Sequence, residues 1–229
     1  MNDTMSSPAI CRKLAAMQQL ILDIRPQEAP TLATYVPGPN GEVLAQLRHW
    51  IEQPDRPPLY LWGPAGCGKT HLIKALATEL GLACACGAIP GQAGNGIALD
   101  DVARLDDQAQ IEAFDAFNRC RERRLAWVAS GDDAPAALAL RADLQSRLAW
   151  GLVLRLWALS DADKRAALFA RAASLGFRLD AMVADYLLAH HSRDLGQLLA
   201  LIDALDRLSL ELKRPVTVPL LKTLLPDQA

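Results

Sequence analysis

Residues 63–70 read GPAGCGKT, a complete GxxxxGK[ST] string preceded by the apolar run LYLW at 59–62 and followed by residues with helical spacing. Strand, glycine loop and helix in that order restrict the chain to folds that place a phosphate at the end of a parallel strand. Gly63, Gly66 and Gly68 let the backbone curl, with Pro64, Ala65 and Cys67 completing the loop, so that its N–H groups converge on phosphate oxygens. The helix that follows adds about half a positive charge at its start. Lys69 is expected on the β and γ phosphates, and Thr70 is expected to offer its hydroxyl to Mg²⁺.

Such a loop needs an acidic partner at the end of a neighbouring strand, and IALDD at 97–101 supplies two carboxylates. Asp100 is expected to hold Mg²⁺ through water, and Asp101 to orient or activate an attacking water. The plainer reading is a strand ending in turn-forming aspartates. A further apolar run ends at Ser130-Gly131-Asp132. The carboxyl edge of such a sheet faces the ligand, so Asp132 is expected to report the γ-phosphate or else to be a turn residue.

The rest of the chain supplies the sheet. Apolar runs at 59–62, 82–86, 96–100, 125–130 and 152–156 alternate with helical stretches near 70–80, 107–123 and 142–150. Runs apolar throughout, joined by helices, predict a parallel sheet covered on both faces. In the second helical stretch Ile111, Phe114, Phe117 and Cys120 recur at near-helical spacing. Half of the fourteen prolines fall between Pro26 and Pro58, interrupted by an amphipathic helix at 41–52 with Val43, Leu44, Leu47 and Trp50 on one face. After about Ser160 the strand patterns stop, and Ser160 or Asp161 can cap the first of several helices. Val183, Tyr186 and Leu187 mark one of these, and Leu195, Leu198, Leu199, Ile202 and Leu205 stripe another over 192–212. The expected fold class is α/β, a P-loop NTPase parallel sheet flanked by helices, followed by a small helical lid. The expected divisions are an N-terminal segment 1–30, a nucleotide-binding domain 31–159 and a lid 160–229.

Charge and cysteines narrow the partners. A formal charge of −2 argues against a dedicated DNA-binding domain, since phosphate affinity needs clustered cations. The run Arg119, Arg121, Arg123, Arg124 reads as the solvated end of a helix, with contact to nucleic acid as the alternative. Cys11, Cys67, Cys84, Cys86 and Cys120 show no zinc-finger spacing and fit reduced thiols. No apolar run approaches the length of a membrane span, so the expectation is a cytoplasmic protein with no membrane partner.

Taken together, LYLWGPAGCGKTHL, ALDD, SGDDAP and RADLQSRLAWGLVLRL resemble the AAA+ ATPases and, within them, the DnaA-like branch. TYVPGPN at 34–40 is similar to that family's adenine-side loop, which adds Tyr35, Val36 and Pro37 to the expected nucleotide-binding residues; His71, directly after Thr70, is counted with them. The resemblance implies bound ADP or ATP with Mg²⁺. It also places an arginine finger at Arg147, acting in trans, and a second sensor at Arg193 in HSRDLGQLL. The plainer reading of Arg147 is a structural ion pair on a surface helix. Asp133 stands where the family pattern leads one to expect a basic residue. A DnaA initiator would continue into a helix-turn-helix domain, whereas this sequence stops at Ala229; residues 159–177 and 204–225 are similar to the lid of the Hda family of DnaA-homologous regulators.

That family carries an N-terminal QLxLxL-type motif for the replicative sliding clamp, the β subunit of DNA polymerase III. Gln19, Leu20, Leu22 and Ile24 in QLILDI fit it, with Ile in place of the last Leu. The bland alternative is that these side chains staple the N-terminus to the α/β domain. The resemblance therefore implies a regulator of the DnaA initiator, reaching DNA and the nucleoid indirectly through the clamp, with self-assembly and intrinsic ATP turnover left open. A helicase-loader ATPase, a self-sufficient P-loop ATPase or kinase, and an initiator fragment are the competing readings.

Overall fold

The computed structural model describes residues 30–91, 94–191, 194–212 and 216–224. These divide into two compact units with the boundary at 163/164.

The first unit is built on five parallel strands, β1 (Leu59–Trp62), β2 (Ala83–Cys86), β3 (Gly96–Asp100), β4 (Ala126–Gly131) and β5 (Leu152–Arg155), in the spatial order β2-β3-β4-β1-β5. The helices are α1 (Gly41–Glu52), α2 (Lys69–Leu80), α3 (Asp107–Glu122) and α4 (Ala142–Leu148). β3 and β4 are buried along their whole length, as continuous apolar runs require in a sheet covered on both faces. One face packs Leu44, Leu47 and Trp50 of α1 and Leu72, Ile73 and Leu76 of α2 against Leu59, Leu61 and Val128. The opposite face packs Ala113, Ala116 and Phe117 of α3 and Leu144 of α4 against Tyr60, Leu99 and Ala129.

Two expectations need correction. The run 82–86 is not buried on both faces: β2 is an edge strand, and Cys84 and Cys86 are exposed. On α3 half of the six buried positions are alanines, Ala109, Ala113 and Ala116, joined by Gln110, Phe117 and Cys120, while Ile111 is exposed. Small residues bring the α3 backbone close to the strands, which a search for bulky side chains overlooks.

Asn40 ties the proline-rich entry to the far edge of the sheet. Fully buried, it donates from Nδ2 to the Tyr35 hydroxyl at 3.2 Å and to the Trp157 carbonyl at 2.9 Å. Its Oδ1 accepts from the Trp157 N–H at 2.7 Å. Replacement by Ala strands buried backbone groups, so Asn40→Ala is expected to destabilise this unit by about 2–4 kcal/mol, read as a lower urea midpoint.

The second unit is helical: the latter part of α5 (Asp161–Ser174), α6 (Ala181–His190), α7 (Leu195–Leu212) and α8 (Val218–Leu224). Ser160 caps α5 reciprocally with Asp163, the hydroxyl donating to Asp163 Oδ2 at 2.6 Å and accepting from the Asp163 N–H at 3.1 Å. Asp180 caps α6 by accepting from the Met182 N–H at 2.8 Å. Leu168, Val183, Leu187, Leu198, Ile202, Leu205 and Leu221 form the core. Among the described residues no helix is long and apolar enough to cross a membrane.

Candidate functional site

The loop at 63–68 leaves the carboxyl end of β1, beside β4 on one side and β5 on the other, and runs into α2. Pro64, Ala65 and Gly66 are exposed at its crown, whereas Gly63 and Cys67 are buried beneath. Gly68 is required twice over. Its φ of +95° disfavours any side chain, and a Cβ there would lie 2.6 Å from Cε2 of Tyr35.

Tyr35 is buried against this loop and donates its hydroxyl to the Cys67 carbonyl at 3.0 Å. Burial pushes the phenol up to about 12, opposed by the bond from Asn40, so it stays a donor at neutral pH. Burial likewise raises the Cys67 thiol, which argues against a reactive thiolate inside the loop. Val36 is half-buried and Pro37 exposed. His71 lies 5.7 Å from the Tyr35 ring between centroids, with Nε2 2.9 Å from the Thr31 carbonyl. The side chains of Tyr35 and His71 thus brace the loop and the first turn of α2 from the proline-rich side.

Lys69 donates to the carbonyls of Gly63 at 2.6 Å and Pro64 at 3.1 Å, and its Nζ lies 2.9 Å from Asp132 Oδ1. The structure therefore brings Asp132, at the end of β4, to the phosphate-loop lysine. Asp100 is 7% exposed, and both its oxygens accept: Oδ2 from the Thr70 hydroxyl at 2.7 Å and Oδ1 from the Ser130 hydroxyl at 2.6 Å. Ser130 also accepts from the Asp101 N–H at 3.0 Å, linking the ends of β3 and β4.

Asp101 holds a left-handed backbone, φ 54° and ψ 72°, and its Oδ1 is buried without a hydrogen-bond partner. Asp101 therefore keeps an unused acceptor at the end of β3, beside the Thr70–Asp100–Ser130 network. Thr70 and Asp100 fit a hard divalent cation that takes its remaining ligands from phosphate and water. Among the described residues no group of three or more His, Cys, Asp or Glu side chains forms a metal cage.

Ser130, Tyr60 and Asn40 were not picked out as site residues by sequence. Tyr60, on β1, donates its hydroxyl to the Asp133 carbonyl at 2.8 Å and so fixes the turn carrying Asp132. A Cβ on Gly131 would lie 2.2 Å from that hydroxyl. Burial, with Asp133, Asp132 and Asp101 nearby, raises the Tyr60 phenol and keeps it a donor. A serine before the glycine at the end of a buried strand was the available signal for Ser130. Nothing local marks Tyr60 or Asn40.

Arg147 lies in the last turn of α4, five residues before β5 begins at the amino edge of the sheet, where Leu152 pairs with Leu59. Its own phosphate loop leaves the opposite edge. The guanidinium carbon sits 5.3 Å from the Phe114 ring centroid and 5.7 Å from that of Trp150, and Nε is buried without a partner. Its partners are rings, where an ion pair was the plainer expectation. Gln19, Leu20, Leu22, Ile24 and Arg193 lie outside the described residues.

Comparison with known proteins bears on the fold and on two stretches of the chain. Residues 161–225 match the family described as Hda, lid domain, and residues 59–106 match the ATPase family associated with various cellular activities (AAA). Among solved structures, domain III of the Thermotoga maritima replication initiation protein DnaA superposes with a TM-score of 0.66 at 20% identity, covering 88% of this chain and 98% of that one. AMPPCP-bound DnaA from Aquifex aeolicus gives 0.62 at 20% identity, covering 80% of this chain and 68% of that one. A structure described as a DNA replication initiation factor gives 0.63 at 21% identity, over 83% and 68%.

Proposed function

We propose that this chain, whose residues 161–225 match the Hda lid family and whose fold is that of DnaA domain III, is a nucleotide-bound negative regulator of replication initiation. It docks on the DNA-loaded sliding clamp and stimulates hydrolysis of ATP held by DnaA. The observation that carries this reading is the lid match at 161–225 behind a complete phosphate-loop domain.

ADP, with Mg²⁺ at Thr70 and Asp100, occupies the chain's own loop, and Arg193 serves as the second sensor. Bound phosphate draws Lys69 from the loop carbonyls and from Asp132, while Asp132 senses the γ-phosphate and Asp101 orients the attacking water when ATP is bound. Arg147 serves a different molecule. Its position at the edge of the sheet away from its own loop supports action in trans. The rings beneath it release it readily, since a partly exposed cation–π contact contributes about 0.5–1 kcal/mol. An arginine finger is worth about 10³–10⁵ in rate, or roughly 4–7 kcal/mol of transition-state stabilisation. The contest is one-sided.

Clamp binding comes from Gln19 at the polar edge of the clamp's pocket and from Leu20, Leu22 and Ile24 in its apolar part. Each buried aliphatic side chain yields about 1.5–3 kcal/mol, less the cost of ordering the segment, which sets a micromolar affinity. Affinity for DNA is then borrowed from the clamp, in keeping with a net charge of −2. Leu22→Ala with Ile24→Ala is expected to weaken retention on immobilised clamp about 100-fold. Unchanged retention would return QLILDI to a packing role.

A further inference from the structure

The turn between α4 and β5 sets an aromatic ring beside Arg147. Trp150 is 52% exposed, yet its backbone has little freedom. Its N–H donates to the Arg147 carbonyl at 3.2 Å, and a Cβ on the next residue, Gly151, would run into the Pro58 carbonyl. Leu152 then donates to that same carbonyl at 2.7 Å and enters the sheet. On the inner side the Trp150 ring lies 6.2 Å between centroids from Phe117, which is buried in the core beneath α3. Turn and core together fix where the ring stands.

Two guanidinium groups share that ring. Arg121, from α3, lies 4.2 Å over it and Arg147 5.7 Å from its centroid, while Phe114 offers Arg147 a second ring at 5.3 Å. Among the described residues no carboxylate pairs with either arginine. Like charges repel at this range, and an aromatic face can hold an arginine without neutralising it, whereas an ion pair would satisfy Arg147 and withhold it from other anions. The Nε of Arg147 is buried, so the inner end of the guanidinium is covered by protein. We infer that Trp150 is the positioning residue of Arg147: with Phe114 it forms an aromatic seat that confines the guanidinium, charged and unpaired, until a polyphosphate held by another molecule draws it off. Arg121, the nearer of the two cations, stays on the ring when Arg147 leaves it. This inference rests on the reading of Arg147 as a residue that acts in trans. A surface arginine loose among its rotamers would seldom meet a phosphoryl group correctly, and misplacement by about 1 Å costs about 10²-fold in rate.

The test is single-turnover hydrolysis by DnaA preloaded with ATP, with clamp loaded on DNA, over a range of concentrations of this protein. The series separates the plateau rate from the half-saturating concentration. Trp150→Leu should lower the plateau about tenfold or more at nearly unchanged half-saturation, and leave this chain's affinity for ADP as it was. Trp150→Phe, which keeps a ring, should hold the plateau within about threefold of the parent. A ring that only packs or docks would, when lost, remove folded or bound protein and so move half-saturation alone. A parental plateau in Trp150→Leu would therefore overturn the inference and leave the regulatory reading standing, as would a plateau in Trp150→Phe as low as that of Trp150→Leu. No stimulation by the parent protein would overturn that reading and this inference with it.

Discussion

Arg147→Ala should abolish the stimulation of DnaA's ATP hydrolysis, a fall of about 10³-fold or more, while leaving this chain's own affinity for nucleotide unchanged. The expectation combines what the side chain lacks with where it is. Among the described residues no carboxylate pairs with the guanidinium, which rests on Phe114 and Trp150 at the edge of the sheet away from Lys69. Its removal strips away two weak ring contacts, so folding stability should fall by no more than about 1–2 kcal/mol. The measurement is a single-turnover assay on DnaA preloaded with ATP, with a fluorescent-ADP titration of the variant beside it. Full stimulation by Arg147→Ala would remove the trans mechanism. Loss of both stimulation and nucleotide binding would mean that the residue acts at its own site.

The second large effect is at Lys69. Lys69→Ala should lower ADP affinity by about 10²-fold or more, because two charge-assisted hydrogen bonds to phosphate are worth about 1.5–3 kcal/mol each. The bonds from Nζ to the Gly63 and Pro64 carbonyls also hold the loop in its curled form before phosphate arrives. The loss should therefore exceed that of one ion pair. Fluorescent-nucleotide titration measures it, and circular dichroism at matched temperature shows whether the fold survives. Affinity within threefold of the parent would mean that the loop's backbone N–H groups alone carry the phosphate.

The same two residues show how much the sequence discloses. Lys69 was legible because glycine spacing, strand and helix all occur within one short stretch, and each of the five apolar runs became a strand with ends within a residue or so. Continuous apolar runs are what a sheet covered on both faces demands, so position follows from composition. The edge strand escaped that logic: Cys84 and Cys86 look buried by type and are exposed by place. On α3 half of the buried positions are alanines, which carry little weight in a periodicity search, so Ile111 was assigned to the wrong face while Phe117 and Cys120 were placed correctly. Asn40 was silent in the sequence because its partner Trp157 lies 117 residues away. Thr70 and Asp100 were both expected at a metal, yet the Ser130 hydroxyl that completes their network was not assigned, since its role depends on β3 and β4 being neighbours. The strain at Asp101 is likewise a property of the folded loop, visible only in its left-handed backbone.

The decisive property of this protein is whose nucleotide it causes to be consumed. DnaA carrying γ-labelled ATP, freed of excess label and mixed with this protein in unlabelled ADP, should release labelled phosphate at a rate set by the amount of this protein and strongly raised by clamp loaded on DNA. If the label stays on DnaA at its unassisted rate with clamp and DNA present, while the protein hydrolyses ATP supplied to itself, the chain is a self-contained ATPase and the regulatory reading is wrong.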